Sequence, residues 1–131
     1  MAQFDVKGLD ELVDALERMG RLDEIAPKIL EEAALILKEE VVLLAETHKV
    51  TGDMASSIKE TKPRERRGGH EICVRPTGKD RNGIRNMEKA AWIEFGTKGR
   101  SGTPFITSAV LNAEADVKAK MQEVFNREVS G

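Results

Sequence analysis

The sequence predicts an α+β protein, with two long helices and a short N-terminal helix packed on a small antiparallel sheet and long basic loops between the elements. Three observations lead there. Residues 22–48 and residues 103–125 each carry an apolar stripe at three- and four-residue steps, the spacing of one helix face. Residues 70–75 alternate instead, with Ile72 and Val74 on one side and Glu71, Cys73 and Arg75 on the other, as in a half-buried strand. The stretches between are rich in Gly, Pro, Lys and Arg, which punctuate and solvate rather than pack. With 131 residues the chain fits a single domain, 1–131, and no linker-like or repeated segment divides it.

Taken in order, Phe4 and Val6 alternate with Asp5 and Lys7 in a short extended lead-in that Gly8 ends. Leu9, Leu12, Val13 and Leu16 then recur at helical spacing until Gly20. The helix from Leu22 presents Ile25, Ile29, Ala33, Leu37, Val41, Leu44 and Ala45, widened by Ile36, with Asp23 as its cap and Pro27 in its first turn. A stripe this wide packs on a sheet or on other helices; the rival is a seam between subunits. Residues 51–58 predict a turn and a short helix capped by Thr51 or Asp53, with Met54 and Ile58 on one face. Lys59–Gly69 starts as a strand, is broken by Pro63 and Gly68-Gly69, and pairs with 70–75 as a hairpin. Pro76–Arg85 is a loop. Asn86–Phe95 is a helix, or a helix and then a strand. Thr103 caps the last helix, Pro104 suits its first position, and Ile106, Ala109, Val110, Ala113, Val117, Met121 and Val124 line its apolar side.

Trp92-Ile93-Glu94-Phe95-Gly96-Thr97, followed by Thr103-Pro104-Phe105, concentrates the only Trp and two of the four Phe. Aromatic side chains bury the most area per residue, so Trp92, Phe95 and Phe105 are expected at the core, with Gly96, Thr97 and Pro104 shaping the turns around them. Between the two halves lies Lys98-Gly99-Arg100-Ser101-Gly102, expected as a mobile basic loop. Glu94 is expected either buried beside a Lys or Arg or pointing outward, because an unpaired buried carboxylate is costly.

Net charge is −2, yet residues 59–100 hold 12 Lys/Arg against 6 Asp/Glu, while the rest holds 9 against 17. Lys62, Arg64, Arg66, Arg67, Lys79, Arg81, Lys98 and Arg100 are the partner-binding candidates. Cations on loops neutralise phosphates without reading sequence, which makes a nucleic-acid-binding module one reading. Aromatics interleaved for base stacking are missing from the run. The other readings are a solvated surface, or attraction to an acidic neighbour such as the acidic helices of a second copy.

Chemistry finds little support. Cys73 and His70 fall on opposite faces of a strand, and a lone cysteine is mostly a small apolar residue. His48, His70 and Cys73 lack a metal-ligand spacing. Glu31-Glu32 and Glu39-Glu40 read as a solvated helix face, and the glycines at 96, 99 and 102 match no nucleotide fingerprint. Neither catalytic residues nor a cofactor are expected. A single cysteine fits a reducing compartment, charges interrupt the N-terminus as a signal peptide, and no window approaches the ~18 apolar residues of a span. A protein made in the cytosol is expected.

Four motifs occur in order: Gly8-Leu9-Asp10-Glu11-Leu12, Thr51-Gly52-Asp53-Met54-Ala55-Ser56-Ser57-Ile58, Ile93-Glu94-Phe95-Gly96-Thr97, and Pro104-Phe105-Ile106 with Ala109. Each is weak alone. As an ordered set they resemble the neck or tail-completion family of long-tailed DNA bacteriophages, also described as head–tail joining proteins. Met54 stands where Leu is usual, Lys89-Ala90-Ala91 replaces an aromatic, and His48-Lys49-Val50 replaces a proline. The resemblance implies a structural virion protein without catalytic residues, set at the head–tail junction in a homo-oligomeric ring, in contact with other neck and tail proteins and able to touch DNA in the channel. It implies localisation to the virion, after assembly in the host cytoplasm.

Overall fold

The computed structural model describes residues 2–5, 10–48, 52–66 and 69–130. Its spine is the pair of long helices. Helix α2 (Leu22–Ala45) runs into a single 3₁₀ turn at Glu46–His48, and α5 (Phe105–Ser130) lies along it. Their facing sides are built from the two stripes: Ile25, Ile29, Ala33, Leu37 and Val41 on α2, and Ile106, Ala109, Ala113, Val117, Met121 and Val124 on α5, all buried. The small residues Ala33, Ala109 and Ala113 let the helix backbones come close. Ala26, Leu30 and Ala34 widen the buried side of α2 beyond the expected stripe. At roughly 25 cal/mol per Å² of apolar surface, this seam is the main stabilising contact.

Helix α1 (Asp10–Met19) buries Leu12 and Leu16 against the start of α2. It closes as the sequence suggests. Gly20 adopts φ 68°, its N–H donates to Glu17 O and Arg21 N–H to Leu16 O, both at 3.0 Å. This double closure of the helix end needs a residue that tolerates positive φ. Residues 6–9, including Gly8 and Leu9, lie outside the described residues.

The entry to α2 differs from expectation. Asp23 is inside the helix and does not cap it; Arg21 takes the capping position without a side-chain capping bond, its guanidinium pairing with Glu24 instead. Pro27 is the sixth helical residue and not in the first turn, so the Asp23 carbonyl loses its intrahelical donor there. Burial of the neighbours Ile25, Ala26, Ile29 and Leu30 holds the helix together across that gap.

The sheet is built around β4 (Gly69–Pro76). Strand β1 (Ala2–Asp5) pairs antiparallel with it on one edge, Gln3 opposite Cys73. On the other edge β2 (Ile58–Glu60) and β3 (Arg64–Arg66) follow one another, with Lys59 opposite Arg75 and Glu65 opposite His70. Three residues, 61–63, stand opposite two, 72–73, so the register slips by one at a bulge. Pro63 has no N–H to give a ladder, and Thr61 compensates: its N–H donates to Cys73 O at 2.8 Å and its Oγ1 accepts from Cys73 N–H at 3.0 Å. Ile72 and Val74 lie on one buried face as expected, Ile58 is buried with them, and α2 packs on the sheet. Ile58 belongs to a strand rather than to the short helix α3 (Asp53–Ser56), whose capping residue is Gly52; Thr51 lies outside the described residues.

Helix α4 (Asn86–Phe95) is continuous to Phe95. Strands β5 (Gly96–Thr97) and β6 (Arg100–Ser101) then form a hairpin that leads back to α5.

Candidate functional site

The expected aromatic core is the main correction. Phe105 is buried, but Trp92 is 47% and Phe95 76% exposed. The reason lies in the helix phase of α4. Asn86, Ala90 and Glu94 repeat every four residues and form its buried row, which turns Trp92 and Phe95 to solvent.

What occupies the interior here is Glu94, 7% exposed. Its Oε1 accepts from Ile106 N–H at 2.7 Å and its Oε2 from Thr107 Oγ1 at 2.6 Å. The carboxylate therefore caps the N-terminus of α5 from another helix, satisfying an orphan N–H where the helix dipole is positive. No Lys or Arg partner is needed, and the capping role expected of Thr103 belongs to Glu94. Thr103 instead donates its N–H to Ile93 O at 2.6 Å.

The glycines make this closure possible. Gly96 sits at φ 85°, and a Cβ there would meet Arg100 O at 2.6 Å and Gly102 N at 2.7 Å. A Cβ on Gly102 would meet Phe95 C at 2.6 Å and Glu94 O at 2.7 Å. Two backbones touch at positions 96 and 102, and only glycine fits. The segment 93–105 is thus a tight junction between α4 and α5. Lys98 and Gly99 form the two-residue turn of a paired hairpin, with Thr97 opposite Arg100, rather than a mobile loop. Lys98 and Arg100 are exposed at its tip.

The loop before α4 is equally organised. Asp80 Oδ1 accepts from the N–H groups of Asn82 and Ile84, both at 2.9 Å, and Oδ2 pairs with Lys89 Nζ at 2.9 Å. The Lys89 ammonium and those N–H groups hold the Asp80 carboxyl below its usual range. Asp53 grips Arg81 through Nε at 2.9 Å, Nη2 at 2.7 Å and the Arg81 N–H at 2.9 Å. These bonds push the Asp53 carboxyl far below the ordinary aspartate value. Asn86, 2% exposed, donates Nδ2–H to Thr77 O at 2.8 Å.

The basic candidates divide accordingly. Arg64 pairs with buried Glu71 at 2.5 Å and Arg81 with Asp53, so both are engaged within the fold. Lys62, Lys79, Lys98 and Arg100 are exposed. Arg67 and the Arg66 side chain lie outside the described residues.

His70 and Cys73 do fall on opposite faces. His70 is 8% exposed and its Nε2 lies 3.0 Å from Asp23 Oδ1. Glu65 completes a set of three metal-ligand types within 4.8 Å, which spacing along the chain did not reveal because the three sit on α2, β3 and β4. The Asp23 side chain is 81% exposed, and the contact reads as a hydrogen bond tying α2 to the sheet. No described helix is long and apolar enough to cross a membrane.

The described residues thus form a small α+β scaffold with exposed aromatics beside an exposed basic turn. The family described as "Bacteriophage HK97-gp10, putative tail-component" matches residues 10–96, and the chain belongs to this HK97-gp10-like family of structural phage tail components. No curated protein and no solved structure matches the chain.

Proposed function

We propose that the chain joins or completes the phage tail at the head–tail junction, assembling into or onto a ring with other neck and tail proteins. The observation that carries this reading is the corner at α4 and the β5–β6 hairpin. Trp92 and Phe95 lie in solvent on a support of helix, glycine contacts and the Glu94 cap. A folded chain gains nothing by exposing its largest apolar side chains, and rigid exposed aromatics flanked by cations are typical centres of protein interfaces. Family membership supplies the setting, a phage tail. Lys62, Lys79, Lys98 and Arg100 are the partner-facing cations in this reading. Arg64 and Arg81 serve it by fixing β3 and the 77–85 loop through Glu71 and Asp53.

The experiment is a phage in which the gene is deleted and supplied in trans. Full heads and separate tails should accumulate without it, and mass spectrometry of purified wild-type virions should find the protein in the neck. Normal joined particles in the deletion, or virions without the protein, would count decisively against the proposal. Duplex DNA titrated at two salt concentrations checks the nucleic-acid reading: free subunits should bind weakly, since two of the cations expected to meet phosphate are committed to carboxylates.

A further inference from the structure

The face of α2 turned away from the core is unusual. Glu31, Leu35, Glu39 and Leu43 follow at four-residue steps, with Val42 and Glu46 beside them. Leu35 is 49% and Leu43 58% exposed. With Val42 they line a shallow apolar depression whose edge carries Glu39, Glu46 and Lys38, the last paired with Glu60. An outward helix face is ordinarily charged and polar. Here two leucines stand in solvent between carboxylates. The α4 corner is its complement in every respect, with two exposed aromatics, Trp92 and Phe95, followed by two exposed cations, Lys98 and Arg100. The same division appears along the sequence, where residues 59–100 are basic and the remainder acidic.

We propose that the α4 corner of one copy docks on the back of α2 in the next, with Trp92 and Phe95 covering Leu35 and Leu43 while Lys98 and Arg100 meet Glu39 and Glu46. This deepens the assembly reading and rests on it. The two patches lie on different elements, so the contact is head-to-tail, and such contacts close into rings when the rotation divides a full turn. Charge fixes the register, because sliding the corner along α2 would set Lys98 against leucine and leave the glutamates unpaired. A second copy is the occupant because one chain presents both halves of the match. The contact is modest. Each aromatic covers about 150–250 Å², which leaves a corner of this size near the weak end of specific interfaces. Free subunits therefore stay apart, and the contact forms when a tail end holds the copies side by side.

The test uses assembled virions. In a Cys73→Ala background, Leu43→Cys and Phe95→Cys are introduced singly and together, and particles are treated with a short bismaleimide. The double variant should give a ladder of dimer, trimer and higher species, and each single variant should give monomer only. A dimer from Phe95→Cys alone would mean a symmetric contact and would overturn the proposal. So would the absence of a ladder in virions that contain the protein, an outcome that leaves the assembly reading standing. Virions lacking the protein would sink both. Charge exchange gives an independent readout. Glu39→Lys with Glu46→Lys, and Lys98→Glu with Arg100→Glu, should each lower infectious titre at least ~10-fold, because each sets like charges against one another across the contact. The fourfold variant should recover most of that loss, which damage to folding could not do. A fourfold variant as poor as either pair would refute the register proposed.

Discussion

Along α2 and α5 the buried part of the contact is apolar, with Ile29, Ala33 and Leu37 on one helix and Ala109, Ala113 and Val117 on the other, while Lys28–Glu128, Glu32–Arg127 and Glu40–Asn112 pair at its edges. Where α4 meets the start of α5, Ala90, Phe105 and Ile106 are buried, and the joint is fixed in addition by the Glu94 carboxylate, the Thr103 N–H and backbone pressed on backbone at Gly96 and Gly102. The seam tolerates apolar exchanges that conserve volume, because packing and not particular atoms decides. The joint does not, because it depends on particular atoms at hydrogen-bond distance and on two missing Cβ atoms. The difference shows how a chain of this size can be stable and still offer its aromatics to a partner. One region provides the stability, and the other uses polar precision to hold Trp92 and Phe95 in the open.

The comparison can be broken at either end. Leu37→Ala, at a fully buried position, should lower unfolding free energy by about 2–5 kcal/mol, read by urea denaturation. Ala33→Val would test the close helix approach in the same assay. At the joint, Gly96→Ala should cost about 1–3 kcal/mol from the positive φ alone, with backbone displacement added by the contact to Arg100 O. Glu94→Ala should cost about 1–3 kcal/mol, since it leaves the Ile106 N–H buried and unpaired, while Glu94→Gln should recover part of the loss through its remaining carbonyl oxygen. Hydrogen exchange at Ile106 should rise in Glu94→Ala before the rest of α5 responds.

A smaller effect is expected from pH. The Asp53 carboxyl is depressed by Arg81, so the folded state binds its proton more weakly than the unfolded state does. Its contribution is therefore complete above the ordinary aspartate value of 3.8 and is lost as pH falls below it. The melting-temperature difference between wild type and Asp53→Asn should be constant from neutral pH to about 5 and shrink below about 4. The smallest stability change belongs to Phe95→Ser, within about 0.5 kcal/mol, because the side chain already lies in solvent. That near-neutral result, set beside a loss of tail joining in the same variant, would separate the two regions by function as well as by stability.

Much of the first region was legible from spacing. The stripes on residues 22–45 and 105–124, the alternation at 72 and 74, and the stop at Gly20 all appear where their period or chemistry puts them. The motif around position 95 was also legible as important, but its meaning was not. Aromatic content suggested a core, whereas a ten-residue helix with a buried Asn86–Ala90–Glu94 row gives a weak apolar period, so its phase could not be read. Glu94 as the cap of α5 involves groups twelve residues apart on different elements, outside any local capping pattern. The Asp53–Arg81 and Asp23–His70 contacts are hidden for the same reason.

What the amino-acid order determined by itself is the α+β class, the two long helices and their apolar faces, the alternation around Ile72 and Val74, and the helix end at Gly20. Tertiary structure alone decided which charges are used up inside the fold and which aromatics remain outside. Those outcomes depend on distances between residues far apart in the chain, and a carboxylate chooses between a cation, a helix end and water only once packing has brought one of them within ~3 Å.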